Sequence, residues 1–209
     1  MSLLVKMLKA KELFEVFSGK NDLRPLLSHR LSIKDGLITY AVVFLIVSIL
    51  FSIESLVGKL IFGLLGTQDI TALLIELLIV AVVCIVLTPI MLVTTMVCTY
   101  LWGAFHFFLA GLYSKGHQLN EFNANVFGLF SATFFVGGLI ALIPVIGWIA
   151  FLLVKIYTAF LMFKLVRNHF NLNSTHTLIV VLVPLNIVLL FLLVISFVVS
   201  GILVGPIFI

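Results

Sequence analysis

Residues 71–113 read TALLIELLIVAVVCIVLTPIMLVTTMVCTYLWGAFHFFLAGLY, and Glu76 is the one formally charged side chain among them. A helix rises 1.5 Å per residue, so this stretch would be about 65 Å long, roughly twice the thickness of a bilayer's hydrocarbon core. Two readings fit. One is a single long helix, kinked at Pro89, whose end from Trp102 to Tyr113 lies along a membrane interface. The other is a pair of spans joined by a tight turn at Thr88-Pro89. The single span is preferred, because nothing polar enough to sit in water separates the two halves. The aromatic side chains Tyr100, Trp102, Phe105, Phe107, Phe108 and Tyr113, with His106 among them, suit a membrane boundary. His106 has the chemistry of a proton relay or ligand, but its aromatic neighbours favour a plain interfacial residue.

The rest of the chain has the same character. Of 209 residues, 63% are hydrophobic and 10% charged, and the mean hydropathy is +1.36. Such a chain has too few polar residues to cover a soluble surface. Its apolar runs are continuous rather than alternating, which excludes a β-barrel and predicts an all-α, polytopic transmembrane bundle. The net charge of +4 does not point to nucleic acid, because basic residues commonly flank spans and meet anionic lipid. Cys84 and Cys98 fall in one helix, about 21 Å apart along its axis, and cannot pair with each other. No metal-ligand spacing is present and no cofactor is expected. No cleavable signal peptide is read, since the first apolar run of membrane length starts near Leu37.

Residues 1–34 form a separate segment. Leu3, Met7, Ala10, Phe14 and Phe17 recur at three- and four-residue steps, with Lys6, Lys9, Glu12 and Glu15 off that stripe. This predicts an amphipathic helix lying in the head-group layer. Residues 35–209 form the transmembrane domain, with spans at about 37–56, 75–102, 122–143, 148–166 and 177–203. Leu60–Gly66 is too short to cross and reads as a dip into the interface. Ten of the twelve Lys and Arg residues fall on one side if there are five spans and the N-terminus is inside. Six spans is the alternative and fits the positive-inside rule less well. The expected location is a prokaryotic cell membrane, with the N-terminus cytoplasmic and the C-terminus outside.

Lys155 is the sharpest candidate for a site. A lysine inside a span costs roughly 2.5–3.5 kcal/mol on insertion scales, so it calls for a partner or a wet cavity. Glu54 and Glu76 are expected at similar depth, which predicts a Lys155–Glu76 or Lys155–Glu54 pair, with snorkelling to the interface as the competing reading. Gly137, Gly138 and Ala141 mark close helix packing, as do Gly201 and Gly205, whose spacing also suits a homo-oligomer. Pro144 and Gly147 form a turn, and Pro89 and Pro184 are candidate hinges.

One stretch carries a family resemblance. It begins with Phe105-His106-Phe107-Phe108-Leu109-Ala110-Gly111, followed by a Lys-Gly loop and a span containing Gly137-Gly138. Next come the Pro144-Val145-Ile146-Gly147-Trp148 turn, Lys155-Ile156-Tyr157 and the loop end His169-Phe170-Asn171-Leu172. The last span opens with Val183-Pro184. In this order the chain resembles the Yip-one domain family of five-span membrane proteins, in its prokaryotic form. The resemblance implies a non-enzymatic adaptor or scaffold that organises membranes. Its eukaryotic relatives bind Rab-type GTPases in vesicle transport, so a GTPase partner is implied by analogy, alongside membrane lipids. The alternative is a transporter or scramblase-like protein for a small solute or lipid, using a polar site near Lys155. A polar cavity reaching Lys155 favours transport, and a dry, filled bundle favours the adaptor.

Overall fold

The computed structural model describes residues 10–19, 23, 31–65, 70–143 and 146–204. Six α-helices are described: α1 (Ala10–Ser18), α2 (Ile33–Leu65), α3 (Ile70–Gly111), α4 (Leu119–Ala141), α5 (Ile146–Phe170) and α6 (Ser174–Val204). Four contain segments long and apolar enough to cross a bilayer: Ile33–Ile61, Ile85–Gly111, Leu119–Ala141 and Ile149–Phe170. The chain is therefore an all-helical, multi-pass membrane protein. From α2 onward the helices run up and down. One end of the bundle, here the proximal end, carries the 112–118 and 171–173 connections. The distal end carries the α2–α3 and α4–α5 connections.

Local sequence sets the helix ends. Ser32 caps α2: its hydroxyl accepts from the Asp35 N–H at 3.2 Å, and the Asp35 carboxylate accepts from the Ser32 N–H at 3.2 Å. This reciprocal pair satisfies two donors that a helix start otherwise leaves bare. At the end of α5, Asn171 takes a left-handed conformation with φ 52°, and the Leu172 N–H donates to the Arg167 carbonyl at 3.2 Å. That is a Schellman-type stop, with asparagine tolerating the conformation that glycine usually supplies. Asn173 then starts α6, its side-chain oxygen accepting from the His176 N–H at 2.8 Å.

Two sequence boundaries change. α2 runs unbroken through Leu60 to Leu65, so the interfacial dip at Leu60–Gly66 is replaced by helix as far as Leu65, because no proline interrupts it and Glu54, Ser55, Gly58 and Lys59 are all accommodated within the helix. α3 is a single helix of 42 residues with Pro89 inside it, about 63 Å long, which rules out the two-span reading. Proline removes one intrahelical hydrogen bond, and membrane helices tolerate it through local backbone adjustment and neighbouring groups that satisfy the freed carbonyl. α6 likewise continues through Pro184.

α4 is the hub and packs against α1, α2, α3 and α5, while α6 packs on α5 and α3. Gly138 meets α2, where an added Cβ would lie 2.5 Å from the Val47 side chain. Its neighbour Gly137 meets α5, with Val154 at 3.0 Å and Phe151 at 3.4 Å. Ala141 completes this buried face. At the other end of the α2–α4 contact, a Cβ on Gly36 would meet the Ala124 carbonyl oxygen at 2.9 Å. Pro144 and Gly205 lie outside the described residues, Gly201 is in the last turn of α6, and Gly147 sits tight against the Ala141 backbone.

α1 does not stand apart from the bundle. Leu13 and Val16 are buried, and Phe14 is 48% exposed. The buried face is thus turned from the Ala10–Phe14–Phe17 stripe that the periodicity suggests; Leu3 and Met7 lie outside the described residues. Phe17 packs edge-on against Tyr157 with ring centroids 5.4 Å apart, Phe14 reaches Phe135 at 5.8 Å, and Lys164 Nζ donates to the Gly19 carbonyl at 3.1 Å. These partners lie along the lengths of α4 and α5 rather than at their ends. α1 is therefore a bracing element of the bundle, since its apolar side chains find protein to cover them.

The packing predicts that Gly36→Ala loses about 1–3 kcal/mol of stability, because the obstacle is backbone that cannot rotate away. Gly58, with nothing within 4 Å, is the control: Gly58→Ala is expected to be neutral or stabilising by up to about 1 kcal/mol. Thermal unfolding of both variants in one detergent checks this.

Candidate functional site

Four positions of α3 are buried at helical spacing: Thr99, Gly103, His106 and Ala110. They form the face that α3 turns to the bundle, whereas most of its distal half is exposed apolar surface. Gly103 is required by its neighbour, because an added Cβ would occupy the space of the Asn123 side-chain oxygen on α4. Asn123 is fully buried, and among the described residues neither its amide nitrogen nor its oxygen has a hydrogen-bond partner.

His106 is 0% exposed. Its Nδ1 lies 2.8 Å from the Trp102 carbonyl oxygen. A carbonyl only accepts, so Nδ1 carries the proton, and the neutral ring presents Nε2 as an acceptor. That Nε2 is buried without a partner among the described residues. The Trp102 ring packs against the imidazole at 4.8 Å and holds its orientation.

Next to His106 is an open groove of about 310 Å³ lined by residues of α3, α4, α5 and α6. Cys98, Trp102 and His106 line one wall, Lys155 and Met162 another, and Leu185 closes the α6 side. This volume is at the lower end of the range for small-ligand sites, about 300–1,000 Å³, and such sites are mostly apolar with a few placed polar groups. Lys155 is nine residues from the distal end of α5 and fifteen from its proximal end, or about 14 Å and 22 Å. Its Nζ lies 4.9 Å from the centre of the Phe151 ring, a contact that partly compensates a cation away from water.

The expected carboxylate partners of Lys155 are elsewhere. Glu76 pairs with Lys59 at 3.3 Å, both half-exposed, and Glu54 is exposed on α2. α4 keeps Glu54 away: adjacent glycines on it face α2 and α5, and those two helices share no substantial contact, whereas Glu76, on α3, is taken by Lys59. Similar depth along the spans therefore does not bring Lys155 to either carboxylate.

A second polar group sits at the proximal end. The Asn125 amide approaches His169 Nδ1 at 3.5 Å, His117 stacks near His169 at 5.2 Å and near Phe170 at 4.8 Å. The Ser114 hydroxyl lies 3.1 Å from His117 Nε2, and Tyr113 stacks on His176 at 4.3 Å. Among the described residues no group of three His, Cys, Asp or Glu side chains could hold a metal ion.

Sequence reading singled out Lys155 but assigned His106 to the interface and passed over Asn123. The overlooked signal was Thr99-Gly103-His106-Ala110, a small and polar face at spacings of four, three and four on an otherwise oily helix. No family model, curated protein or solved structure matches the chain.

A double-mutant cycle separates the two arrangements of Glu76. Lys59 and Glu76 are expected to couple weakly, at about 0.2–1 kcal/mol for a half-exposed pair. Lys155 and Glu76 are expected to be additive. Stability of the three single and two double alanine variants in detergent checks this.

Proposed function

We propose that this chain is a non-enzymatic, five-span protein of a prokaryotic cell membrane that handles lipid at the Lys155 groove. α6 supplies the fifth crossing, the N-terminus is cytoplasmic and the C-terminus is outside. In this orientation the proximal end is cytoplasmic and carries Lys115, Lys164 and Arg167. The observation that carries the reading is a cavity at span depth, with an apolar lining, one cation and one unpartnered buried imidazole. A phospholipid has matching parts, with acyl chains for the walls and a phosphate for Lys155. In this reading Lys155 is the anchor for the head group, and Trp102 and Met162 form the apolar wall.

A phospholipid scrambling assay tests it. Vesicles reconstituted with the wild-type protein are expected to expose inner-leaflet fluorescent phospholipid to an outside quencher faster than protein-free vesicles. Lys155→Leu is expected to slow that exchange about tenfold or more, as the phosphate loses its cation. Wild-type vesicles indistinguishable from empty ones would sink the reading.

The second reading is the adaptor implied by the resemblance to the Yip family. The aromatic and histidine surface around Tyr113, His117 and His176 favours it. A GTPase-type partner, or a second copy of the chain, would dock there beside exposed Lys115 and Gln118. Partner recovery from native membranes that survives Lys155→Leu but is lost in a Lys115→Glu, His117→Ala variant would select this reading over the first.

A further inference from the structure

The groove beside Lys155 is long, and its two ends differ. Val154 packs on Gly137 and Asn123 packs on Gly103, and these two points are fourteen residues apart on α4, or about 21 Å. Lys155 follows Val154 and marks the distal end, whereas Trp102 and His106 flank Gly103 and mark the proximal end. On α5 the wall runs proximally from Lys155 through Thr158 to Met162. The Thr158 hydroxyl donates to the Val154 carbonyl at 2.7 Å, so its proton is already spent within the helix. Lys155 is exposed, and its Nζ stands 4.9 Å from the centre of the Phe151 ring, one turn further towards the distal end. The groove therefore has a cation at its distal mouth and a mostly apolar wall leading away from it. No carboxylate is among the described residues that line it.

We infer that this groove takes a net-anionic phospholipid from the distal leaflet, its phosphate at Lys155 and one acyl chain running proximally past Met162 towards Trp102. The inference rests on the lipid reading above and adds the leaflet, the direction of the lipid and the charge of its head. Direction follows from the wall: the apolar lining on α5 lies wholly on the proximal side of the ammonium. A lipid with its head at the proximal end would place its phosphate away from Lys155 and its chain end beside a cation. Charge follows from the missing carboxylate. A phosphate with a neutral glycerol head forms a balanced pair with Lys155. A zwitterionic head brings a second cation, which no acidic side chain of the groove can take up, and an unpaired charge at span depth is costly.

The test is photo-crosslinking of full-length protein in detergent. The probes are two phosphatidylglycerols with a diazirine on one acyl chain, either beside the ester or at the methyl end, and labelled peptides are mapped by mass spectrometry. The ester-side probe is expected to label α5 between Phe151 and Thr158, and the methyl-end probe α3 between Cys98 and His106. Unlabelled phosphatidylglycerol is expected to suppress this labelling at about tenfold lower concentration than phosphatidylethanolamine or phosphatidylcholine of the same chains. Lys155→Gln is expected to bring the three competitors within about threefold of one another.

The reversed labelling pattern, or equal suppression by all three lipids in the wild-type protein, would overturn this inference and leave a lipid groove standing. Absence of labelling at both segments would overturn the lipid reading as well. Glycerol 3-phosphate, a phosphoester without acyl chains, distinguishes the source of the phosphate. Labelling unchanged at its hundredfold excess supports a lipid occupant; suppression would overturn it in favour of a soluble phosphoester. Lys155 is exposed, so the variant is expected to fold, and the wild-type labelling pattern and competition decide without it.

Discussion

Val47 of α2 and Val154 of α5 press onto two consecutive glycines of α4, and the arrangement of the bundle depends on those contacts. In lipid there is little hydrophobic gain from bringing one oily helix to another, so association rests on close van der Waals packing. Glycine allows it by removing the side chain that would hold backbones apart. Consecutive residues on a helix point about 100° apart, so the Gly137-Gly138 pair receives a different neighbour on each side. α4 is thereby the axis of the molecule, with α2 and α5 kept on separate flanks. Gly36 and Gly103 do the same at the proximal end, one receiving the α4 backbone and the other the Asn123 amide.

Separation of α2 from α5 determines the chemistry of the groove. Lys155 meets neither carboxylate, because α4 lies between it and the Glu54 helix and Glu76 is paired elsewhere. Glu76 instead meets Lys59 near the distal end. Lys155 is left beside Phe151, on the wall of a groove that includes residues from four helices. A cation and an unpaired imidazole at this depth are costly to maintain, and a costly polar group in a membrane span is the kind of feature that function retains.

The distal half of α3 makes a contrast. Its side chains are largely exposed and apolar, as a helix facing acyl chains should be. The proximal half, from Thr99 to Ala110, carries small and polar residues and turns them inward. One uninterrupted helix therefore serves lipid with one half and the bundle with the other, without a change of secondary structure at Pro89.

Sequence alone determined the solvent, the helical class and most of the helix limits. Apolar length decides what can cross a bilayer, and capping residues such as Ser32, Asp35, Asn171 and Asn173 act within a few residues of themselves. Gly137 and Gly138 were legible as packing positions because small residues in an oily helix have few other uses. Only the tertiary structure decided which helices those glycines face, and hence that Glu76 belongs to Lys59 and that Lys155 shares a groove with His106. It also decided that α1 buries Leu13 and Val16 and reaches α4 and α5 through Phe14 and Phe17. Depth in a span can be counted along the chain. The azimuth of one span about another cannot, because in a chain apolar on nearly every face, close contacts between distant residues select the rotation, with no polar side to mark it.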